Sequence, residues 1–181
     1  MHNIFLQGES IYLRPLEEDD LTMEYVSWLN DTEVCEFNSH AVFPYTKEKM
    51  NAYYQHLQQT QSINIVLGII DKNNQNHIGN ISLQNINWID RSAEYAILLG
   101  NKTYWGKGVA GEASILMCNY GFSRLNLHRI YCGTSSKNIG MQKLAAKMKM
   151  KQEGIRKEAI FKNGEYFDIV EYGVLKNDFL K

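Results

Sequence analysis

The residues best placed to do chemistry lie in one short run. Tyr104-Trp105-Gly106-Lys107-Gly108-Val109-Ala110-Gly111-Glu112-Ala113 contains a G-x-G-x-x-G between a β-rich stretch and a helical one. Glycines lack a Cβ, so backbone N–H groups there can close on an anion, and a helix N-terminus adds partial positive charge. The chemistry this predicts is the binding of a phosphate-bearing ligand. A dinucleotide fingerprint is excluded, because it needs an acidic residue about 20 positions further on for a ribose hydroxyl. No Asp or Glu occurs from Ala113 through Gln152. A triphosphate-binding loop is excluded as well, since Lys107 is followed by Gly108 and not by a hydroxyl residue that could meet magnesium. The acid-free stretch carries Arg124, Arg129, Lys137, Lys143, Lys147, Lys149 and Lys151. These cations could meet further phosphates or form a solvated basic face.

Other reactive residue types give weaker signals. The five histidines show neither H-E-x-x-H spacing nor clustering, so no metal centre is expected. Cys35, Cys118 and Cys132 are odd in number and lack C-x-x-C spacing. That argues against a disulfide framework or zinc ribbon and for a reducing, cytoplasmic setting.

Apolar spacing predicts the elements that must position the loop. Ile11 to Pro15 reads as a short strand. Asp19 or Asp20 is expected to cap a helix carrying Leu21, Tyr25, Trp28 and Leu29 on one face, with Asn30-Asp31 ending it. Thr46 opens a second helix, with Met50, Tyr53, Tyr54 and Leu57 as its stripe. Ser62 to Asp71 and His77 to Asn87 are β-rich and joined by the polar run Lys72-Asn73-Asn74-Gln75-Asn76, which predicts an antiparallel hairpin. Trp88 to Arg91 turns the chain into a third strand, Ser92 to Leu99. After the loop comes a helix to about Leu125, with Val109, Ala113, Leu116, Met117 and Tyr120 as its buried stripe. A strand at His128 to Cys132 and a helix at Ile139 to Lys149 follow. Two β-like stretches, near Gly154 to Phe161 and Glu165 to Leu175, flank an Asn163-Gly164 turn. The order β-α-α-β-β-β-α-β-α-β-β predicts an α+β fold: a mixed, largely antiparallel central sheet flanked by helices.

Composition sets the scale for this arrangement. The 181 residues, 44% hydrophobic and 22% charged with only Pro15 and Pro44 as prolines, read as a single domain over 1–181. A formal net charge of −1 argues against general attraction to nucleic acid or anionic lipid. No apolar run approaches the ~18 residues of a membrane span, and the N-terminus has no leader pattern.

Several stretches together are similar to one family. Ala93-Glu94-Tyr95-Ala96-Ile97-Leu98-Leu99, the Trp105-Gly106-Lys107-Gly108 loop, Asn126-Leu127-His128-Arg129-Ile130 and Asn138 resemble the GNAT superfamily of acetyl-CoA-dependent N-acetyltransferases. Tyr12-Leu13-Arg14-Pro15-Leu16 and Asn163-Gly164-Glu165-Tyr166-Phe167-Asp168 resemble its RimJ/RimL-type branch. The resemblance implies a splayed pair of central strands forming a cleft for acetyl-CoA. The pantetheine arm would pair with the backbone of Ile97, Leu98 and Leu99 as an added strand, and one of their N–H groups would serve as an oxyanion donor. The pyrophosphate would lie on Trp105, Gly106, Lys107, Gly108, Val109, Ala110 and Gly111. Asn138 would touch the pantetheine arm or the adenosine end, a role compatible with capping the helix that starts at Ile139.

The resemblance also implies a catalytic base. An amine acceptor with a pKa of ~10 is under about one per cent free at neutral pH. Glu94 stands where the family often has a glutamate facing the cleft, and it would take the proton directly or through a water. Its bland alternative is a surface pairing with Arg91, in which case Asp168 and Glu171 come next. The sequence departs from the family at several positions. Trp105 replaces an Arg or Gln, which predicts weaker cofactor affinity. Ala145 and Met141 replace a frequent tyrosine and serine, removing the usual proton donor to the departing thiolate. With a thiol pKa around 8.5 that donor is helpful and not indispensable. Lys149 replaces a frequent glycine.

In this family the segment from Asn30 to Tyr45 overhangs the acceptor, so Glu33, Glu36, Phe37 and His40 are candidates to touch it. The favoured acceptor is a small amine such as a nucleotide-linked amino sugar. Trp28-Leu29-Asn30-Asp31-Thr32-Glu33-Val34 and Gly140-Met141-Gln142-Lys143-Leu144-Ala145 resemble relatives that acetylate amino sugars, and Phe37, Phe43 and Tyr45 could stack on a ring. The alternatives are a protein N-terminal amine, a non-catalytic coenzyme A binder, and a nucleic-acid or phosphoprotein module using Arg124 to Lys151. The oligomeric state stays open, a homodimer included.

Overall fold

Alternating apolar residues in the first half of the chain build a ladder of antiparallel strands. The computed structural model describes residues 3–181. Strands β1 (Leu6–Gln7), β2 (Ile11–Pro15), β3 (Ile65–Asp71), β4 (His77–Asn87) and β5 (Ser92–Leu99) are neighbours in chain order. Helices α1 (Met23–Asn30) and α2 (Lys47–Gln59) lie between β2 and β3. Helix α3 (Val109–Ser123) then carries the chain over to β6 (Arg129–Ser135), which pairs with β5 in parallel. Helix α4 (Ile139–Lys147), the long hairpin β7 (Lys151–Lys162) and β8 (Glu165–Leu175), and the short α5 (Lys176–Leu180) complete the chain. The sheet order is β1-β2-β3-β4-β5-β6-β8-β7, so β7 is an edge.

Strand alternation divides the apolar side chains between two faces. Along β5, Ala93, Tyr95, Ile97 and Leu99 pack with the α3 side, together with Met117, Phe122 and Ile130. Leu98 turns the other way, onto Leu21, Tyr25, Val26, Trp28, Leu29 and Met50 of the α1–α2 layer. All three cysteines are free and buried, with Cys118 Sγ 3.5 Å from Met148 Sδ and Cys132 Sγ 3.6 Å from Met150 Sδ.

One expected cap is corrected. Thr22, and neither Asp19 nor Asp20, caps α1, its hydroxyl accepting the Tyr25 N–H at 3.2 Å. Asp20 is otherwise engaged. It is buried and accepts both terminal nitrogens of Arg14 at 2.6 and 2.7 Å, plus the Glu17 N–H at 2.8 Å. A sequence cannot show that a carboxylate has a buried guanidinium to neutralise. The short β1 and α5 were also not expected, and β7 begins at Lys151, upstream of Gly154.

The sheet opens between β5 and β6. Their pairing is confined to Ser92↔Arg129, Ala93↔Ile130 and Glu94↔Tyr131. Beyond these, β5 follows β4 as far as Gly79↔Leu99, and β6 follows β8 as far as Ser135↔Ile169. The two strands diverge, leaving a wedge whose foot is Glu94.

Candidate active site

The upper half of β5 has one edge free. A Cβ on Gly79 would collide with the Leu98 carbonyl oxygen, so that carbonyl faces β4. Alternation then turns the backbone groups of Ile97 and Leu99 toward the wedge. Of the three residues expected along the pantetheine arm, Ile97 and Leu99 offer their backbones there, and Leu98 offers its side chain to the opposite face. Leu99 is partly used already. Its carbonyl accepts the indole N–H of Trp105 at 2.8 Å.

The glycine loop follows directly. Gly106 and Gly108 have φ of +74° and +82°, a region that L side chains rarely adopt, and a Cβ on either would meet nothing within 4 Å. Their glycines therefore serve the backbone turn and leave an open cradle in front of it. Gly108 is the N-cap of α3 and supplies no side-chain hydrogen bond. The first N–H of the helix to find a helical partner is that of Glu112, on the Gly108 carbonyl at 3.1 Å. Val109, Ala110 and Gly111 thus begin the helix with no earlier turn to accept from their N–H groups, and such a cradle suits an anion such as a phosphate. Lys107 lies over the Tyr104 ring, 5.6 Å from its centroid, and the Lys147 ammonium stands in the space a Gly111 side chain would fill.

Glu112, the one acid of this first turn, is turned away. Its carboxylate accepts the Glu9 N–H, the Ser10 N–H at 3.0 Å and the Ser10 hydroxyl at 2.5 Å. Burial opposes its charge, but these donors outweigh burial and hold its pKa below the usual glutamate value.

At the foot of the wedge, Glu94 is half-buried and opposite Gln84 on β4 and Tyr131 on β6. Its Oε2 accepts from Asn85 Nδ2 at 2.8 Å. Asn85 sits in the β4 bulge with φ +52°, a conformation asparagine tolerates, and the bulge aims its amide at the carboxylate. Among the described residues Glu94 makes no ion pair with Arg91 or any other cation. The other two carboxylates are committed elsewhere. Asp168 holds Lys157 Nζ at 3.1 Å and the Glu158 N–H at 2.9 Å, which keep its pKa low, and Glu171 meets Arg156 Nε at 2.8 Å.

These features are those of a known family. The family profile described as an acetyltransferase (GNAT) domain matches residues 10–151. This chain belongs to the GNAT acetyltransferases. It is similar to the probable N-acetyltransferase YjcK of Bacillus subtilis, 27% identical over 96% of this chain and 98% of that one. It is 28% identical to the spermidine N(1)-acetyltransferase of Escherichia coli K12, over 96% of this chain and 90% of that protein. The crystal structure of spermidine N-acetyltransferase from Vibrio cholerae in complex with CoA and spermine superposes with a TM-score of 0.85 at 27% identity, covering 95% and 99% of the two chains. The protein is thus an acetyl-CoA-dependent N-acetyltransferase. Among the described residues no group of His, Cys, Asp and Glu could hold a metal ion, and no helix is long and apolar enough to cross a membrane.

The departures from the GNAT pattern have structural reasons. Ala145 is fully buried in the core and Met141 packs against it, so neither presents a polar atom. Lys149 has φ +58°, a conformation that would suit the glycine the resemblance leads one to expect there, and its Nζ donates to the Phe179 carbonyl at 3.0 Å. Asn138 caps α4, its Oδ1 accepting the Met141 N–H at 2.9 Å. Within the basic run, Arg129 pairs with Glu153 and Lys137 lies over the Phe167 ring.

The overhanging segment carries contacts that spacing did not reveal. Asn30 closes its ends, donating to the Tyr45 carbonyl at 2.9 Å and accepting the Tyr45 N–H at 2.8 Å. Lys102 holds Asp31 at 2.8 Å and Glu33 at 2.7 Å. Tyr25 of α1, Tyr53 of α2 and Tyr45 at the end of the overhang are neighbours, and burial raises the pKa of each, that of Tyr53 to about 12. The broken alternation of Gln84-Asn85-Ile86-Asn87 is the one signal that could have pointed to Asn85; nothing local marked Lys102.

Proposed function

We propose that this acetyltransferase acts on a primary amine of a small polycation of the polyamine class, with Glu94 as the base. The observation that carries the reading is the free carboxylate of Glu94, held by Asn85 at the foot of the wedge while Asp168 and Glu171 are ion-paired. Glu94 accepts the proton that an ammonium substrate must lose before its nitrogen can attack. Asn85 fixes one carboxylate oxygen and leaves the other for that proton. When bound, acetyl-CoA supplies the acetyl thioester. Ile97 N–H, on the free edge of β5, donates to the carbonyl oxygen as it gains charge. The loop from Trp105 to Gly111 holds the phosphates, and Asn138 orders the start of α4 alongside. With Ala145 and Met141 apolar, no side chain at those positions protonates the thiolate, a modest loss for so good a leaving group.

Direct transfer is favoured over an acetyl-cysteine route. Burial pushes the thiols of Cys118 and Cys132 up to about 12 and raises that of Cys35, so none is a nucleophile at neutral pH. The polyamine class is supported by the spermidine acetyltransferases among the relatives and by the exposed Glu36 on the overhang. A nucleotide-linked amino sugar is the second reading, favoured by Phe43, which is 77% exposed on the same segment. Coenzyme A release with spermidine, spermine, amino-sugar nucleotides and short N-terminal peptides separates these readings. Turnover confined to amino sugars or to peptides overturns the polyamine assignment.

A further inference from the structure

The α1–α2 overhang and the β7–β8 hairpin belong to opposite wings of the wedge. The overhang is continuous with α1, whose Trp28 packs on Gly100 at the end of β5. The hairpin extends from β8, the partner of β6. Lys162 links them. Lys162, the last residue of β7, directs its ammonium at the carbonyls of Cys35, Asn38 and His40, the latter two at 2.7 and 3.0 Å. An ammonium has three donors, and all three are spent on this one segment, which has no helix or strand of its own.

The hairpin is built to present that group firmly. Asn163 and Gly164 have φ of +52° and +84°, the two-residue turn that suits strand twist, and Phe161 packs across it at a tilt against Tyr166, ring centroids 4.9 Å apart. With Asn30 closing the ends of the overhang and Lys162 holding its middle, residues 30–45 form a compact loop tied at base and tip.

We propose that Lys162 is a positioning residue that ties the two wings across the mouth of the wedge and so sets the affinity for the amine. The inference rests on the reading that the amine enters beneath the overhang. Lys162 touches neither the glycine loop nor the free edge of β5, so its influence falls on the acceptor and spares acetyl-CoA.

The test is Lys162→Met, with Lys162→Arg as the charge-preserving variant, read by hydrogen exchange and by steady-state kinetics with the parent's best amine from the panel above. In Lys162→Met, exchange at residues 35–40 accelerates at least about tenfold while α3 is unchanged. The KM for the amine rises about tenfold, with kcat and the KM for acetyl-CoA within about twofold, and Lys162→Arg falls between parent and Met. Unaltered exchange at 35–40, or equal rises in both KM values, overturns the proposal. Faster exchange at 35–40 with an unmoved amine KM instead refutes entry beneath the overhang, and with it the kinetic role. Should Lys162→Met not fold, Lys162→Gln makes the same comparisons.

Discussion

Replacing Glu94 by Gln isolates the charge of the proposed base. Glutamine has the shape of glutamate, and its amide oxygen can still accept the Asn85 N–H now 2.8 Å from Oε2, so the foot of the wedge should hold its geometry. What disappears is the ability to take a proton. For an amine of pKa ~10 at about pH 7, only about one molecule in 10³ is already free. If Glu94 supplies the rest, kcat/KM should drop between about 10² and 10³, or roughly 3–4 kcal/mol of barrier. The deficit should shrink by about tenfold for each pH unit gained, closing near the amine's own pKa. The assay is coenzyme A release across that pH range, with acetyl-CoA affinity followed separately by thermal shift. A parent-to-variant ratio that stays constant with pH, or a rate that does not fall, would remove Glu94 from the chemistry.

Acetyl-CoA at a hundredfold excess over its Kd should stabilise the parent by about 2.7 kcal/mol, and Gly108→Asp should lose that shift, because a side chain strains the +82° backbone of the cradle and its carboxylate faces the phosphates; calorimetry with and without ligand checks it. Arg14→Met strands a buried carboxylate and should cost about 3–5 kcal/mol in denaturant unfolding. Burial alone would raise the pKa of Asp20, but Arg14 and the Glu17 N–H hold it below the ordinary value. Its contribution is therefore present above the unfolded pKa of about 4 and lost as pH falls through the lower folded value, so the acid limb of stability should flatten in Arg14→Met. Ala145→Tyr should destabilise by about 1–3 kcal/mol without a gain in kcat, since that position is fully buried; a faster enzyme with unchanged Tm would show room for a donor there.

The sequence was informative where local rules decide the outcome. The strand order through β5, the glycine loop at the head of α3 and the Asn163-Gly164 turn each follow from spacing or turn chemistry within a few residues. The wedge itself was legible only through family resemblance, because divergence of β5 from β6 is a property of two strands separated by a whole helix. Pairings at long range were opaque. Asp20 looks like a helix cap until Arg14 is seen folded over it, and Lys162 looks like a solvated hairpin lysine although its partners stand more than 120 positions earlier. Even at Ile97, Leu98 and Leu99 the sequence marked the segment but not which backbones face outward, which the β4 register fixes.

The sealed thiols give the molecule a built-in reporter. A thiol-reactive dye that detects released coenzyme A needs an accessible thiolate, and Cys35, Cys118 and Cys132 are both buried and held protonated. Native enzyme should therefore contribute little background, and any slow labelling must proceed through opening of the structure. Cys35 belongs to the overhang itself, its thiol donating to the Trp28 carbonyl at 3.2 Å, while Cys118 and Cys132 lie in the α3-side core. The order in which the three become modified would rank the opening of the acceptor roof against that of the sheet, from the same reagent that counts turnovers.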